Sequence, residues 1–243
     1  MDFFLIFITG IVATTLGTLA GGGGLISLPV MLLLGVPIHS AIGANKVSNT
    51  ISSYFSFLYL LRKKELDFRK SVWIIPVSLF GGVAGGAIAA VITPEQLYVL
   101  AIILLVCVFI SSFLRKTIFK GDRKLIPSFK SVTGVYGIGL YDGLFGPGQG
   151  TLMLYLLSSL NLSYINAVGL VRLATFSSCF GAAITYIAAG SIIWSLTISL
   201  MAGSWLGAQL GVRVARKIKP AIISPILKSV TFLLILQLIF DQL

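Results

Sequence analysis

Lys46 and Arg172 each sit deep inside an apolar stretch, and each follows a glycine-rich interruption of that stretch. A cation near the centre of a bilayer costs about 2.5–3.5 kcal/mol on insertion scales, so such residues face a cavity or a partner by default. The alternative is snorkelling of the long side chain to the interface. The chemistry these types offer is oxyanion binding: Lys as a compact point charge, Arg as a planar fork that can engage two oxygens. Asn45 and Asn49, at i and i+4, share a helix face, with Lys46 about 100° away, while Thr175 lies three positions after Arg172. These polar groups can donate to a bound anion, and Asn49 and Thr175 can equally bond across helices. The interruptions are Gly21, Gly22, Gly23 and Gly24 in one place, and Gly146, Gly148, Gln149 and Gly150 around Pro147 in the other. Runs of this kind break a helix and expose backbone N–H groups at the start of the next one, where dipole and donors attract anions. The following helices are expected to start near Leu25, with Ser27 in the first turn, and near Thr151. Asp142 is the acid nearest this chemistry; it can exchange a proton, pair with Lys46 or Arg172, or cap the second break.

These residues need a membrane scaffold. The chain is 57% hydrophobic and only 10% charged, against about 25% charged in soluble domains. The remaining sixteen basic residues fall in three groups, near 62–70, 115–130 and 213–228, between apolar runs. Lys228 reads as snorkelling from the last run. The net charge of +11 is therefore a topology signal, and nucleic acid is not an expected partner. The first apolar run lacks a basic n-region and reads as a retained segment. Cys107 and Cys179 lie in apolar segments without a CxxC, and His39 is the single histidine, so neither a disulfide nor a metal site is indicated.

The chain repeats at an offset of 126 residues. GTLAGGGGLISL at 17–28 overlays GLFGPGQGTLML at 143–154, and SAIGANKVSN at 40–49 overlays NAVGLVRLAT at 166–175, so Lys46 meets Arg172. After a one-residue gap, Gly82 and Gly86 overlay Gly207 and Gly211. Basic loops on the cytoplasmic side, with the TPEQ turn at 93–96 and the AAGS turn at 188–191 outside, make the helix near 38–61 run inward and that near 164–187 outward. The halves are thus expected to be inverted, with both termini outside. Residues 131–160 are too few for two crossings at about 20 residues each, which implies a re-entrant hairpin broken at GPGQG, and by repeat another over 3–35. The expectation is an all-α integral membrane protein, one domain over 1–243. It comprises two inverted repeats, 1–120 and 127–243, each a glycine-broken re-entrant hairpin plus three transmembrane helices. Non-helical backbone at that depth must line a cavity or be buried in protein, and inverted repeats with broken helices are a design of secondary transporters. Small-residue packing accounts for Gly81, Gly82, Gly85, Gly86, Gly207 and Gly211.

The stretch GTLAGGGGLISLPVMLLLGVPIHSAIGANKVSN and its weaker copy GLFGPGQGTLMLYLLSSLNLSYINAVGLVRLAT resemble the TauE/SafE family of sulfite and organosulfonate exporters over nearly the whole chain. The resemblance implies a plasma (inner) membrane secondary transporter of small sulfur-containing oxyanions such as sulfite, thiosulfate or organosulfonates. The second copy departs from the first in using GPGQG and Tyr155 where the first has GGGG and Pro29. An anion channel is the nearest alternative, since re-entrant hairpins also build filters. A membrane-embedded enzyme is disfavoured by the lack of a Ser/His or Cys/His constellation, and no catalytic residue or cofactor is expected. The partners expected are the small anionic substrate and the lipid bilayer, with a coupling proton or sodium ion and assembly as a homodimer left open.

Overall fold

The computed structural model describes residues 3–20, 23–62, 71–114, 119, 125–215 and 232. The described residues form nine α-helices. α1 (Phe3–Ala20) and α2 (Gly24–Leu33) flank the first glycine break, followed by α3 (Ile38–Arg62), α4 (Ile74–Val91) and α5 (Pro94–Leu114). α6 (Phe129–Leu144) and α7 (Gln149–Ser159) flank the second break, followed by α8 (Tyr164–Ala188) and α9 (Trp194–Ala215). Gly21 and Gly22, most of the basic loops, Lys228 and the expected last span lie outside the described residues.

Local chemistry sets several of these boundaries. In the TPEQ turn, the Thr93 hydroxyl accepts from the Gln96 N–H at 3.4 Å and the Gln96 side chain accepts from the Thr93 N–H at 3.3 Å, a capping box with Pro94 at the first helical position. Ser128 and Ser131 close a similar box at the start of α6. The second break is held in shape by two tyrosines, Tyr141 donating to the Pro147 carbonyl and Tyr186 to the Leu144 carbonyl. The latter satisfies one of the terminal carbonyls that a helix end leaves without a partner.

Helix packing rests on missing side chains. α1 lies on α9, α6 on α4, α4 on α8, α9 on α3, and α3 on α8. A Cβ added at Gly203 would fall on the Phe7 carbonyl, at Gly85 on the Leu140 carbonyl and at Gly82 on the Ser178 carbonyl. At Gly81, Gly86, Gly207 and Gly211 as well, an added Cβ would come within 3.0 Å of a neighbouring helix, so the glycines expected to serve close packing do so. Several hydroxyls between the helices are satisfied by their own backbone: Thr18 donates to Thr14, Thr50 to Lys46, Ser56 to Ser52 and Ser177 to Leu173. Large apolar side chains such as Phe4, Phe80, Ile103, Ile184 and Ile198 are exposed on the outside instead, which is the polarity that lipid requires. α4 and α8 are each long and apolar enough to cross a bilayer.

The hairpins have unequal arms. At 1.5 Å per residue, the 18 residues of α1 and 16 of α6 rise about 27 and 24 Å, whereas the 10 of α2 and 11 of α7 rise about 15 and 16 Å. α1 and α6 thus approach the full hydrocarbon thickness of about 30 Å, and α2 and α7 reach about half of it.

Candidate functional site

The site starts at the second break. Gly146 and Gly148 have φ of +102° and +83°, a left-handed backbone that glycine adopts without strain, and this reversal lets α7 begin at Gln149. α2 begins at Gly24. Both helices therefore start one or two residues earlier than the sequence suggests. The two breaks touch, since a Cβ built on Gly24 would lie 3.5 Å from the Pro147 Cα.

Between the breaks and the middles of α3 and α8 lies a cavity of about 30 Å³. A single water needs about 10–15 Å³ on this measure, and drug-sized pockets run to several hundred, so its scale suits a few waters or one small polyatomic ion. Lys46 and Asn49 reach it from α3, and Arg172 and Thr175 from α8. Gly23, Gly24, Gly146, Gln149 and Gly150 form the walls at the breaks, joined by Asn45 and Asp142.

Charge is concentrated here. Lys46, Asp142 and Arg172 are the buried charged side chains among the described residues, 1%, 3% and 6% exposed, and all three line the cavity. Lys46 Nζ and Asp142 Oδ1 form an ion pair at 3.0 Å. Of the options open for Asp142, the fold realises the pairing with Lys46. The second carboxylate oxygen accepts from Ser178 Oγ and, at 3.3 Å, from Cys179 Sγ. Arg172 has no carboxylate partner among the described residues; one Nη donates to the Gly17 carbonyl, one of the last four of α1 and thus without a helical partner. With one ion pair and one further guanidinium, the cavity carries a formal charge of +1.

Donors remain unused around it. Thr175 Oγ1 donates to Gln149 Oε1 at 3.0 Å, which leaves the Gln149 Nε2 without a protein partner, as is the Arg172 Nε. A buried donor left unsatisfied costs about 1–3 kcal/mol, so an acceptor that came within reach of either would be stabilised. Among the expected site residues, Ser27 lies behind the wall, donating to Asn45 Oδ1 at 2.6 Å, and Asn45 Nδ2 donates to the Ala41 carbonyl at 3.3 Å. The Asn45 amide is thereby committed within the protein. Gly148 and Thr151 are not on the cavity wall either, because the early start of α7 turns Gln149 and Gly150 to it instead.

Sequence reasoning missed Thr14, Gly17, Leu28, Phe145 and Pro147 on the wall, and Ser178 and Cys179 behind Asp142. The signal for the last two is present: Thr175, Ser178 and Cys179 at i, i+3 and i+4 share the face of α8 that starts with Arg172. Thr14 and Gly17 stand three apart in α1 just before the break.

Residues 6–238 match the family model described as sulfite exporter TauE/SafE. A protein of Sinorhizobium sp named "Probable membrane transporter protein ORF9" is 28% identical over 239 residues, covering 97% of this chain and 92% of that protein. A "Probable membrane transporter protein" of Haemophilus influenzae is 29% identical over 246 residues, covering 98% and 94%. The relative YfcA of Escherichia coli K12, also named a probable membrane transporter protein, is 25% identical over 245 residues, covering 98% and 90%. No solved structure matches the chain. Helical throughout the regular elements of its described residues and matched to this family model over nearly its whole length, the chain is a membrane transporter protein and belongs to the sulfite exporter TauE/SafE family.

Proposed function

We propose that the chain is a secondary transporter of small sulfur-containing oxyanions, such as sulfite, thiosulfate or an organosulfonate, and that it works by alternating access around the cavity between the two breaks. The observation that carries this reading is the cavity of about 30 Å³ with a formal charge of +1 and two unpartnered buried donors on residues that line it, Gln149 Nε2 and Arg172 Nε. Arg172 balances the charge of the anion and Lys46, paired with Asp142, adds a charged donor, while Gln149, Asn49 and the starts of α2 and α7 supply further donors and Thr175 orients the Gln149 amide. The coupling ion in this reading is a proton or a sodium ion, and Asp142 is the group on which a proton would travel.

The architecture proposed with it is a pair of inverted repeats in the plasma membrane, each a re-entrant hairpin plus three spans, with basic loops cytoplasmic and termini outside. Reciprocal packing supports it: α1 of the first half lies on α9 of the second, and α6 of the second on α4 of the first. The same offset of 126 relates Ile38–Arg62 to Tyr164–Ala188 end to end. It also relates two left-handed helix ends, Gly35 at φ +74° and Asn161 at φ +60°, with matching bonds from Val36 N to Met31 O and from Leu162 N to Leu157 O.

The test is counterflow in proteoliposomes holding unlabelled sulfite, thiosulfate or an organosulfonate. Uptake that saturates and accelerates with substrate on the far side is the expected result. Single-channel currents carried by the same anions would overturn the carrier in favour of a channel.

A further inference from the structure

The two halves of the cavity treat their cations differently. In one half Lys46 has Asp142, which also accepts from Ser178 and Cys179. Shifted by the repeat offset of 126, these four positions become Arg172, Leu16, Ser52 and Ser53. The carboxylate has no equivalent, and its surroundings register the loss. Arg172 falls back on the Gly17 carbonyl with its Nε unpartnered, and the Ser53 hydroxyl, fully buried at the position equivalent to Cys179, has no hydrogen-bond partner.

We infer that the cavity selects its oxyanion by net charge, taking a monoanion in preference to a dianion, because Asp142 already neutralises one of its two cations and Leu16 leaves the other to the substrate. This rests on the transport reading above and narrows its substrate class. Helix dipoles do not alter the count, since each break joins the negative end of one helix to the positive end of the next, and these partial charges of about half a unit oppose one another. Attraction to the single unbalanced guanidinium grows linearly with anion charge, whereas the cost of stripping water from the anion grows with its square. The Asp142 carboxylate repels a second negative charge besides. A monoanion leaves the cavity neutral; a dianion leaves a buried negative charge.

Methanesulfonate and sulfate test this, being tetrahedral oxyanions of similar size that carry one and two charges near neutral pH. Calorimetric binding to the purified full chain, at one pH and ionic strength, is expected to favour methanesulfonate by about tenfold or more, a difference of about 1.4 kcal/mol. Asp142→Asn raises the cavity charge by one and reverses the order. The double variant Lys46→Gln/Asp142→Asn restores a single net positive charge and returns the preference to methanesulfonate with weaker absolute binding, a result that a purely structural role for the pair does not produce. If Asp142→Asn does not fold, the wild-type ratio decides. Sulfate bound as well as methanesulfonate by the wild type, or a ratio unmoved by Asp142→Asn, overturns charge selection while leaving an oxyanion transporter in place. Binding of no sulfur oxyanion at all overturns the transport reading and this inference with it.

Discussion

Lys46 Nζ lies 3.0 Å from Asp142 Oδ1, across 96 positions of the chain, and Gly146 is the floor beneath the pair: a Cβ there would strike the ammonium and lie 2.8 Å from the carboxylate. The pair thus ties the middle of α3 to the end of α6 and, through Gly146, to the second break.

Removing one partner leaves the other charge buried without compensation, which costs about 3–5 kcal/mol in comparable pairs. Lys46→Gln and Asp142→Asn are each expected to lower the melting temperature in detergent, and the double variant to lose clearly less than the sum. A thermal-unfolding double-mutant cycle measures the coupling; additive losses would show that the two side chains do not depend on each other.

Gly146→Ala combines a positive φ of +102° with a collision on the ion pair and is expected to destabilise by more than about 1 kcal/mol. Gly137→Ala is the control, since a Cβ there meets nothing within 4 Å; in the interior of α6 it should be neutral or stabilise by up to about 1 kcal/mol. Melting temperatures of the two variants check the contrast.

Gly203→Ala and Gly85→Ala would push α1 from α9 and α4 from α6, because the added methyl lands on the Phe7 and Leu140 carbonyls. Overpacking of this kind costs about 1–3 kcal/mol. Lower yield of monodisperse protein, with no change in which anions are bound by the protein that does fold, is the expected outcome on size-exclusion chromatography and binding.

The proposed topology puts Leu33 outside and Ser159 in the cytoplasm. Both positions are exposed, and they are equivalent under the repeat. In a background where the exposed Cys107 is Ser, Leu33→Cys should react with an impermeant maleimide in intact cells and Ser159→Cys only after permeabilisation. The reverse pattern would invert the orientation.

Much of the site was legible because a bilayer makes polar residues conspicuous. Lys46, Arg172 and the glycine breaks stood out against apolar surroundings, and the expected helices at 38–61 and 164–187 differ from Ile38–Arg62 and Tyr164–Ala188 by one residue at one end. Lys46 and Arg172 were both open as partners of Asp142, and the choice between them was not legible, because a contact between α3 and α6 depends on how the helices cross, which periodicity does not encode. Ser27 stands in the first turn of α2 as expected, but a hydroxyl near a helix start can face the ligand or steady a neighbour, and here it holds Asn45. Thr14 and Gly17 were hidden in a helix whose other small residues serve packing, as Gly10 does against α9. The start of α7 was misjudged because Gly148, at φ +83°, reverses the chain earlier than a count of glycines suggests.

In the proposed function, the cavity between the breaks binds a small sulfur oxyanion through Arg172 and Lys46. The most direct measurement of this is a binding titration of sulfite, thiosulfate, taurine and sulfoacetate, with carboxylate controls, on purified wild type, Arg172→Gln and Lys46→Gln. Saturable binding of at least one sulfur oxyanion by the wild type is expected, with its loss or severe weakening in both variants while they remain monodisperse; equal binding by all three proteins would contradict a site built on these two cations.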